Sequence, residues 1–168
     1  MVKDFNFESE RLITSQLLKD DEAVLFEMYS DKEAMRFRGS GAMNTIKDAT
    51  HMVENQLSFN NGTSKLRLGI KNKSQNTLLG TLLLVYNNEN PNEYEVGLSF
   101  GKKYWGKGYA IETLKMVEGE LKTHHSSCSI RAWCMKDNTA SIKLFKKADY
   151  IEQQQSEYPK SLLFIKAL

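Results

Sequence analysis

The feature that most constrains how this chain can fold is a change of hydrophobic period between residues 65 and 123. Over 65–71 (KLRLGIK) apolar residues alternate, with Leu66, Leu68 and Ile70 on one face. Residues 77–86 (TLLGTLLLVY) make a longer apolar run. Residues 93–100 (EYEVGLSF) alternate again, Tyr94, Val96, Leu98 and Phe100 facing one way and Glu93, Glu95, Gly97 and Ser99 the other. The short turns NKSQN and NNENPN separate these runs, which predicts an antiparallel meander. The period then becomes helical: Ala110, Leu114, Val117 and Leu121 recur at i, i+4, i+7 and i+11, predicting a helix over about 108–123. Between the last strand and this helix lies GKKYWGKG, Gly101–Gly108.

The flanking segments complete a mixed α/β plan. Residues 10–18 (ERLITSQLL) predict a first strand, and Asp20 and Asp21 can cap a helix through Tyr29. Asp31 restarts a short helix through Phe37, which Gly39 and Gly41 break. Thr45 with Asp48 resembles a capping box, opening a helix to about Asn60 that Asn61-Gly62 ends. Residues 128–135 predict a strand, and Asn138 can cap a helix over 139–147 with Ile142 and Phe145 inward. Two strands, about 150–157 and 161–167, close the chain. The order β-α-α-β-β-β-α-β-α-β-β is a meander followed by a βαβ crossover. With 168 residues and no repeat or linker, a single domain over 1–168 is expected.

A net charge of +2 argues against a dedicated nucleic-acid binder. No apolar run approaches the roughly 20 residues needed to span a bilayer. The polar opening MVKDFNFESER lacks a signal-like apolar core, so a cytoplasmic protein is expected. Cys128 and Cys134 share one strand face but lie too far apart along it to bridge, and read as free thiols. The histidines show no metal-ligand spacing, and no metal is expected.

GKKYWGKG invites comparison with three phosphate sites. A nucleotide-triphosphate loop needs Ser or Thr after the Lys to ligate magnesium, but Gly108 follows Lys107. A dinucleotide fingerprint needs a third glycine, where Ile111 stands, and an earlier place in a parallel sheet. A metal-free cradle fits better. Successive N–H groups from about Trp105 to Ala110 would point outward, and the helix dipole adds positive charge. Glycine at 106 and 108 allows close backbone approach. A plain strand-to-helix turn that binds nothing explains the loop alone equally well.

Four segments, in order, resemble a known family. YWGKGYA (Tyr104–Ala110) is similar to the acetyl-CoA pyrophosphate loop of the GNAT superfamily of N-acetyltransferases, Q/R-x-x-G-x-G/A. Its first position here is Lys103, which keeps the charge and loses the planar side chain. DNTASIKLFKKADY (Asp137–Tyr150) resembles the motif E-N-x-A-S-I-x-x-x-E-K-x-G-F of the branch holding ribosomal-protein-alanine and spermidine N-acetyltransferases. The segment from Glu8 to Phe37 resembles that branch's opening, and YEVGLSF its A-E-I-G-Y-x-L. The resemblance implies the GNAT acyl-CoA N-acyltransferase fold, a mostly antiparallel mixed sheet flanked by helices. Two positions depart from it. Asp149 replaces a glycine, so the turn there is expected to be built differently, and Phe145 replaces the tyrosine that in many members protonates the leaving thiolate.

The resemblance implies acetyl-CoA as co-substrate and a primary amine as acceptor, either a small molecule or a protein N-terminus, in a monomer or homodimer. An alkylamine with pKa near 10 is almost wholly charged at pH 7 and must lose a proton before attack. Glu95, on the polar face of the strand entering the loop, is the candidate base, acting through a water, with Glu93 as fallback. The N–H near Leu98 would polarise the thioester, and Phe100 would offer main-chain bonds to pantetheine. Mid-strand Gly97 suggests a bulge or a close backbone approach. Lys103, Trp105, Gly106, Lys107, Gly108, Tyr109 and Ala110 would hold the pyrophosphate. Asn138 would meet the pantetheine amides, and Ser141 is the remaining hydroxyl for the thiolate. Tyr29, Met35, Arg36 and Phe37 would line the acceptor side. Gly108→Glu is expected to abolish CoA binding with the fold intact. The alternative is a non-catalytic acyl-CoA-binding module on the same fold, motivated by Phe145.

Overall fold

The computed structural model describes residues 7–60, 62–87, 90, 92–154 and 158–168. The meander forms as the alternation predicts. Strand β3 (Thr63–Asn72) pairs antiparallel with β4 (Leu78–Asn87), and β4 with β5 (Glu93–Phe100). With β1 (Leu12–Ser15), β6 (Ser129–Met135), β7 (Ile151–Glu152) and β8 (Ser161–Ala167) they make one sheet ordered β1-β3-β4-β5-β6-β8-β7. An additional strand, β2 (Leu57–Asn60), pairs with the first half of β3, while β1 pairs with its second half.

Helices cover both faces, unequally. Helix α4 (Tyr109–His124) connects β5 to β6. Its Leu114, Val117 and Leu121 share one core with Leu66, Leu68 and Val96, whose parity set them on one face, and with Leu82 and Leu84 of the apolar run. Each such buried side chain contributes about 1.5–3 kcal/mol. Helix α5 (Thr139–Lys147) adds Phe145, stacked on Phe164 at 5.4 Å. On the other face, α1 (Glu22–Ser30), α2 (Lys32–Met35) and α3 (Ile46–Glu54) enclose a smaller core of Leu17, Leu25, Met28, Tyr29, Met35, Ala49 and Leu78. That core lies over the β1 end of the sheet. The same face of β5 carries Glu93, Glu95, Gly97 and Ser99, all half-buried.

Several boundaries differ from expectation. The helix predicted to reach Asn60 ends at Glu54, because Leu57–Asn60 finds a ladder partner in β3. Gln56 marks the change: its side chain accepts from the Leu17 N–H at 2.7 Å and donates to the Leu17 carbonyl at 3.1 Å, tying the helix exit to the chain after β1. Gly62, at φ 75°, turns a hairpin rather than capping a helix. The Asp31 and Asp48 caps form as read. Asp31 accepts from the Glu33 and Ala34 N–H groups, and Asp48 from those of Asn44 and Thr45. The strand expected over 150–157 is regular only at Ile151–Glu152, and 155–157 lie outside the described residues, as does Asn61. Asp149 adopts φ 63°, the left-handed conformation a glycine would take, so the turn after α5 keeps that geometry with an Asp in it. Gly97 sits in unbroken register opposite Leu83, with no bulge.

Candidate active site

The site begins where two parallel strands part. β5 and β6 pair at only three positions, Glu93↔Ser129, Tyr94↔Ile130 and Glu95↔Arg131. β5 runs on to Phe100 and β6 to Met135 without pairing, so a gap opens beyond Glu95. Backbone groups alternate sides along a strand. The Asn92 carbonyl accepts from Ser129 on the β6 side, and the Gly101 N–H donates to Leu79 on the β4 side. By that alternation the main-chain groups of Leu98 and Phe100 face the gap. The Phe100 carbonyl is already taken by the Trp105 indole N–H at 2.8 Å. Main-chain hydrogen bonding at Phe100 toward the gap is therefore left to its N–H.

The glycine turn stands at the open end of β5. A short 3-10 turn, Lys102–Tyr104, is followed by Gly106 at φ 73° and Gly108 at φ 81°, and α4 starts at Tyr109. Both glycines hold a conformation that L side chains resist. Arg11, entering from the chain before β1, secures the turn from behind. Its guanidinium donates twice to the Lys107 carbonyl, each at 3.3 Å, and pairs with Glu112 at 2.5 Å. It also lies 4.7 Å over the Tyr109 ring. Burial raises the Glu112 carboxyl, but hydrogen bonds from Arg11 and Ser9 outweigh it and hold the carboxyl below its ordinary value. Arg11 thus neutralises the one acidic side chain in the first turn of α4 and leaves the helix N-terminus free to favour an anion. Lys102 and Lys103 pair with Glu33 and Glu27.

Across the gap, the Asn138 side chain caps α5 by accepting from the Ser141 backbone N–H at 3.2 Å. The Ser141 hydroxyl takes no part in that cap. Ser141 lies one turn before Phe145, whose ring is only 6% exposed and is committed to the core.

The acceptor-side expectations divide. Tyr29 is buried, its hydroxyl 2.5 Å from Thr81 Oγ1. Met35 is buried in the small core, while Arg36 is exposed and lies 4.3 Å over the Phe37 ring. Arg38, not singled out from sequence, reaches the sheet instead and hydrogen-bonds Ser99. Arg67 donates to the Tyr29 hydroxyl at 3.4 Å. The parity of 65–71 could have found Arg67, since it opposes Leu66 and Leu68 and shares the face of Glu95. Nothing in the local pattern marks Arg38, while Arg11 falls inside the Glu8–Phe37 segment that carries the family resemblance without being singled out there.

Glu95 is half-buried, and burial pushes its carboxyl above the ordinary value; the Arg131 charge and a hydrogen bond with Trp133 partly offset this. Glu93 is spent on Arg131 at 3.1 Å. Of the two carboxylates, Glu95 is the one beside the gap that has no direct ion pair among the described residues. Among the described residues, no three His, Cys, Asp or Glu side chains gather as a metal site. None of their helices is long and apolar enough to cross a membrane.

The chain has relatives among known proteins. The pattern of the acetyltransferase (GNAT) domain matches residues 11–151. The chain belongs to the GNAT acetyltransferase family. It is 25% identical over 143 residues to the uncharacterized N-acetyltransferase YoaA of Bacillus subtilis, covering 85% of this chain and 81% of that one. An acetyltransferase of the GNAT family from Bacillus anthracis shares the fold with a TM-score of 0.77, 23% identity and 98% coverage of both chains. Spermidine N-acetyltransferase from Vibrio cholerae, in complex with CoA and spermine, superposes with a TM-score of 0.72 at 13% identity, covering 95% of this chain and 96% of that one.

Proposed function

We propose that this GNAT domain transfers the acetyl group of acetyl-CoA to a primary amine by direct attack. The observation that carries the reading is the parting of β5 from β6 after Glu95, beside a glycine turn anchored by Arg11. Acetyl-CoA fits this arrangement. N–H groups from Trp105 to Ala110 and the start of α4 suit a pyrophosphate. The free edge of β5 suits an amide-bearing arm, with the second amide partner at Asn138.

The chain's own groups then divide the work. The Leu98 N–H, on the gap side of β5, would donate to the thioester carbonyl as negative charge develops. Glu95 takes a proton from the incoming ammonium through a water. Its raised pKa suits that role, because a base too weak at neutral pH would hold the proton poorly. With Phe145 in the core, the Ser141 hydroxyl is the side chain on that face of α5 available to stabilise the departing thiolate. Neither cysteine serves as a nucleophile: both are buried, and burial raises the Cys134 thiol to about 11. The amine then attacks the acetyl-CoA thioester directly, with no acyl-cysteine thioester in between and CoA leaving as the thiolate.

The spermine complex of the Vibrio cholerae relative makes amines a reasonable acceptor class. The test is release of free thiol from acetyl-CoA in the presence of an amine panel, with mass spectrometry of the products. Amine-dependent release that Glu95→Gln abolishes is expected. Tight CoA binding with no turnover on any amine would leave only a binding module.

A further inference from the structure

On the acceptor face, two guanidinium groups have no carboxylate partner among the described residues. Arg38 Nη1 lies 3.5 Å from the Tyr29 hydroxyl, and Arg67 Nη1 lies 3.4 Å from the same oxygen. Both contacts are long for charge-assisted hydrogen bonds. Arg38 also lies 4.8 Å over the Tyr29 ring and hydrogen-bonds the Ser99 hydroxyl. Among the described residues neither arginine has a carboxylate within ion-pair distance. Nearby acids are spent elsewhere: Asp21 on Lys71, Glu27 on Lys103, Glu33 on Lys102 and Glu93 on Arg131. The charges that act most on Glu95 are Arg131 and Lys65.

The arrangement is electrostatically unsatisfied. Two like charges share one phenol oxygen; burial lowers the pKa of Arg67, Tyr29 opposes this, and the Arg38 charge adds to the lowering. Burial raises the Tyr29 phenol, but the two arginines and bonds with Thr81 and Ser99 outweigh it and bring its pKa below the ordinary value. A guanidinium offers a planar fork that matches a carboxylate or phosphate. Here two forks converge on neutral hydroxyls, and among the described residues neither meets a carboxylate.

Their position follows from register. Arg67 pairs with Leu83, and Leu83 with Gly97, so Arg67 and Gly97 lie in one row on one face. At about 4.8 Å per strand, that row places the Arg67 Cα roughly 10 Å from Gly97. Ser99, which Arg38 holds, is one same-face step along β5 from Gly97, about 7 Å. Glu95 is the opposite step. The amine-handling end and the arginine end thus flank the open floor at Gly97, where an added Cβ would meet only Leu83, at 3.6 Å.

We propose that the acceptor is a small amine that also bears an anionic group, a carboxylate or phosphate a few bonds from the nitrogen, held by Arg38 and Arg67. This rests on the acyl-transfer reading above. The anion supplies the missing counter-charge and orients the amine toward Glu95 and the gap.

Matched acceptors test it: β-alanine against propylamine, phosphoethanolamine against ethanolamine, and spermine as a purely cationic amine. The expected result is that the anionic member of at least one pair has the higher kcat/KM. The carboxylate and phosphate arms tell which anion is preferred. Arg38→Gln and Arg67→Gln should raise KM for that anionic acceptor about 10-fold or more, with CoA affinity and melting temperature preserved. The neutral amine should change little. Arg→Lys at each position should recover part of the loss, keeping charge without the fork. Preference for neutral amines or spermine, or equal losses on all acceptors, would overturn the proposal. If no amine is turned over, the acyl-transfer reading fails separately. Calorimetry of β-alanine and phosphoethanolamine with the CoA-loaded protein then decides this one: arginine-dependent binding upholds the anion site, and no binding overturns it.

Discussion

The donor end and the acceptor face of this site are built from different materials. The donor end is backbone: the unpaired edge of β5, the glycine turn and the start of α4. Side chains there act mostly from behind, as Arg11 does on the Lys107 carbonyl and Glu112. The acceptor face is side chain and charge: Tyr29, Arg38, Arg67 and Glu95 on the sheet face that the helices leave partly open. Backbone recognition needs only that the chain take a certain path. Side-chain recognition needs particular residues from distant segments to meet. Under the acyl-transfer proposal, donor binding rests on the path of the chain and acceptor choice on these side chains.

The comparison can be broken first at Glu95. Glu95→Gln should lower kcat/KM by about 10²–10⁴ while leaving CoA affinity intact. Because burial raises the Glu95 carboxyl, the acid limb of the wild-type pH–rate profile should lie above the usual carboxylate range and vanish in the variant. Stability should move oppositely. A raised folded-state pKa stabilises below the unfolded-state value and is lost as pH rises through the folded one. Glu95→Gln should thus melt higher than wild type at neutral pH, and the difference should shrink on acidification. A lower melting temperature at pH 7 would show that Arg131 and Trp133 outweigh burial.

On the donor side, Ala110→Glu puts a carboxylate in the first turn of α4, where the helix dipole tolerates it but an anionic ligand would be repelled. CoA affinity should fall on the order of 100-fold, by calorimetry, with melting unchanged or raised. Gly108→Glu is a poorer probe than the sequence suggested, since φ 81° strains any side chain and mixes folding with binding.

Tyr29→Phe removes the oxygen shared by Arg38, Arg67 and Thr81. Chemical denaturation should report a loss of about 1–3 kcal/mol, the cost of stranding a buried partner. Arg11→Ala should weaken CoA binding roughly 10-fold by loosening the turn, equivalent to about 1.4 kcal/mol, with acceptor KM unchanged. An effect on acceptor KM would mean that the two regions are coupled. The smallest effect is outside both: Asp149→Gly should stabilise by about 0.5–1 kcal/mol, because glycine takes φ 63° without steric cost.

Several features were legible from local pattern. The alternation over 65–71 and 93–100 determined the outer strands of the meander and which of their residues face α4, because alternation is a property of the strand itself; the apolar run between them carried no facing signal. The glycine turn, the Asp31 and Asp48 caps and the Asn138 cap were local for the same reason. The helix misread through Asn60 shows the limit. Leu57–Asn60 is a strand only because β3 lies beside it, and no periodicity within four residues records that.

By itself, then, the sequence determined the central strands, the loop and the parity that puts Glu95 and Arg67 on one face. Tertiary structure alone decided where β5 and β6 part, that Glu93 is spent on Arg131 while Glu95 is not, and that Arg38 rather than Arg36 reaches the sheet. The physical reason is range. Hydrogen-bond alternation and capping act within a few residues. Charge pairing and burial act through space, between segments whose separation along the chain carries no signal of their meeting.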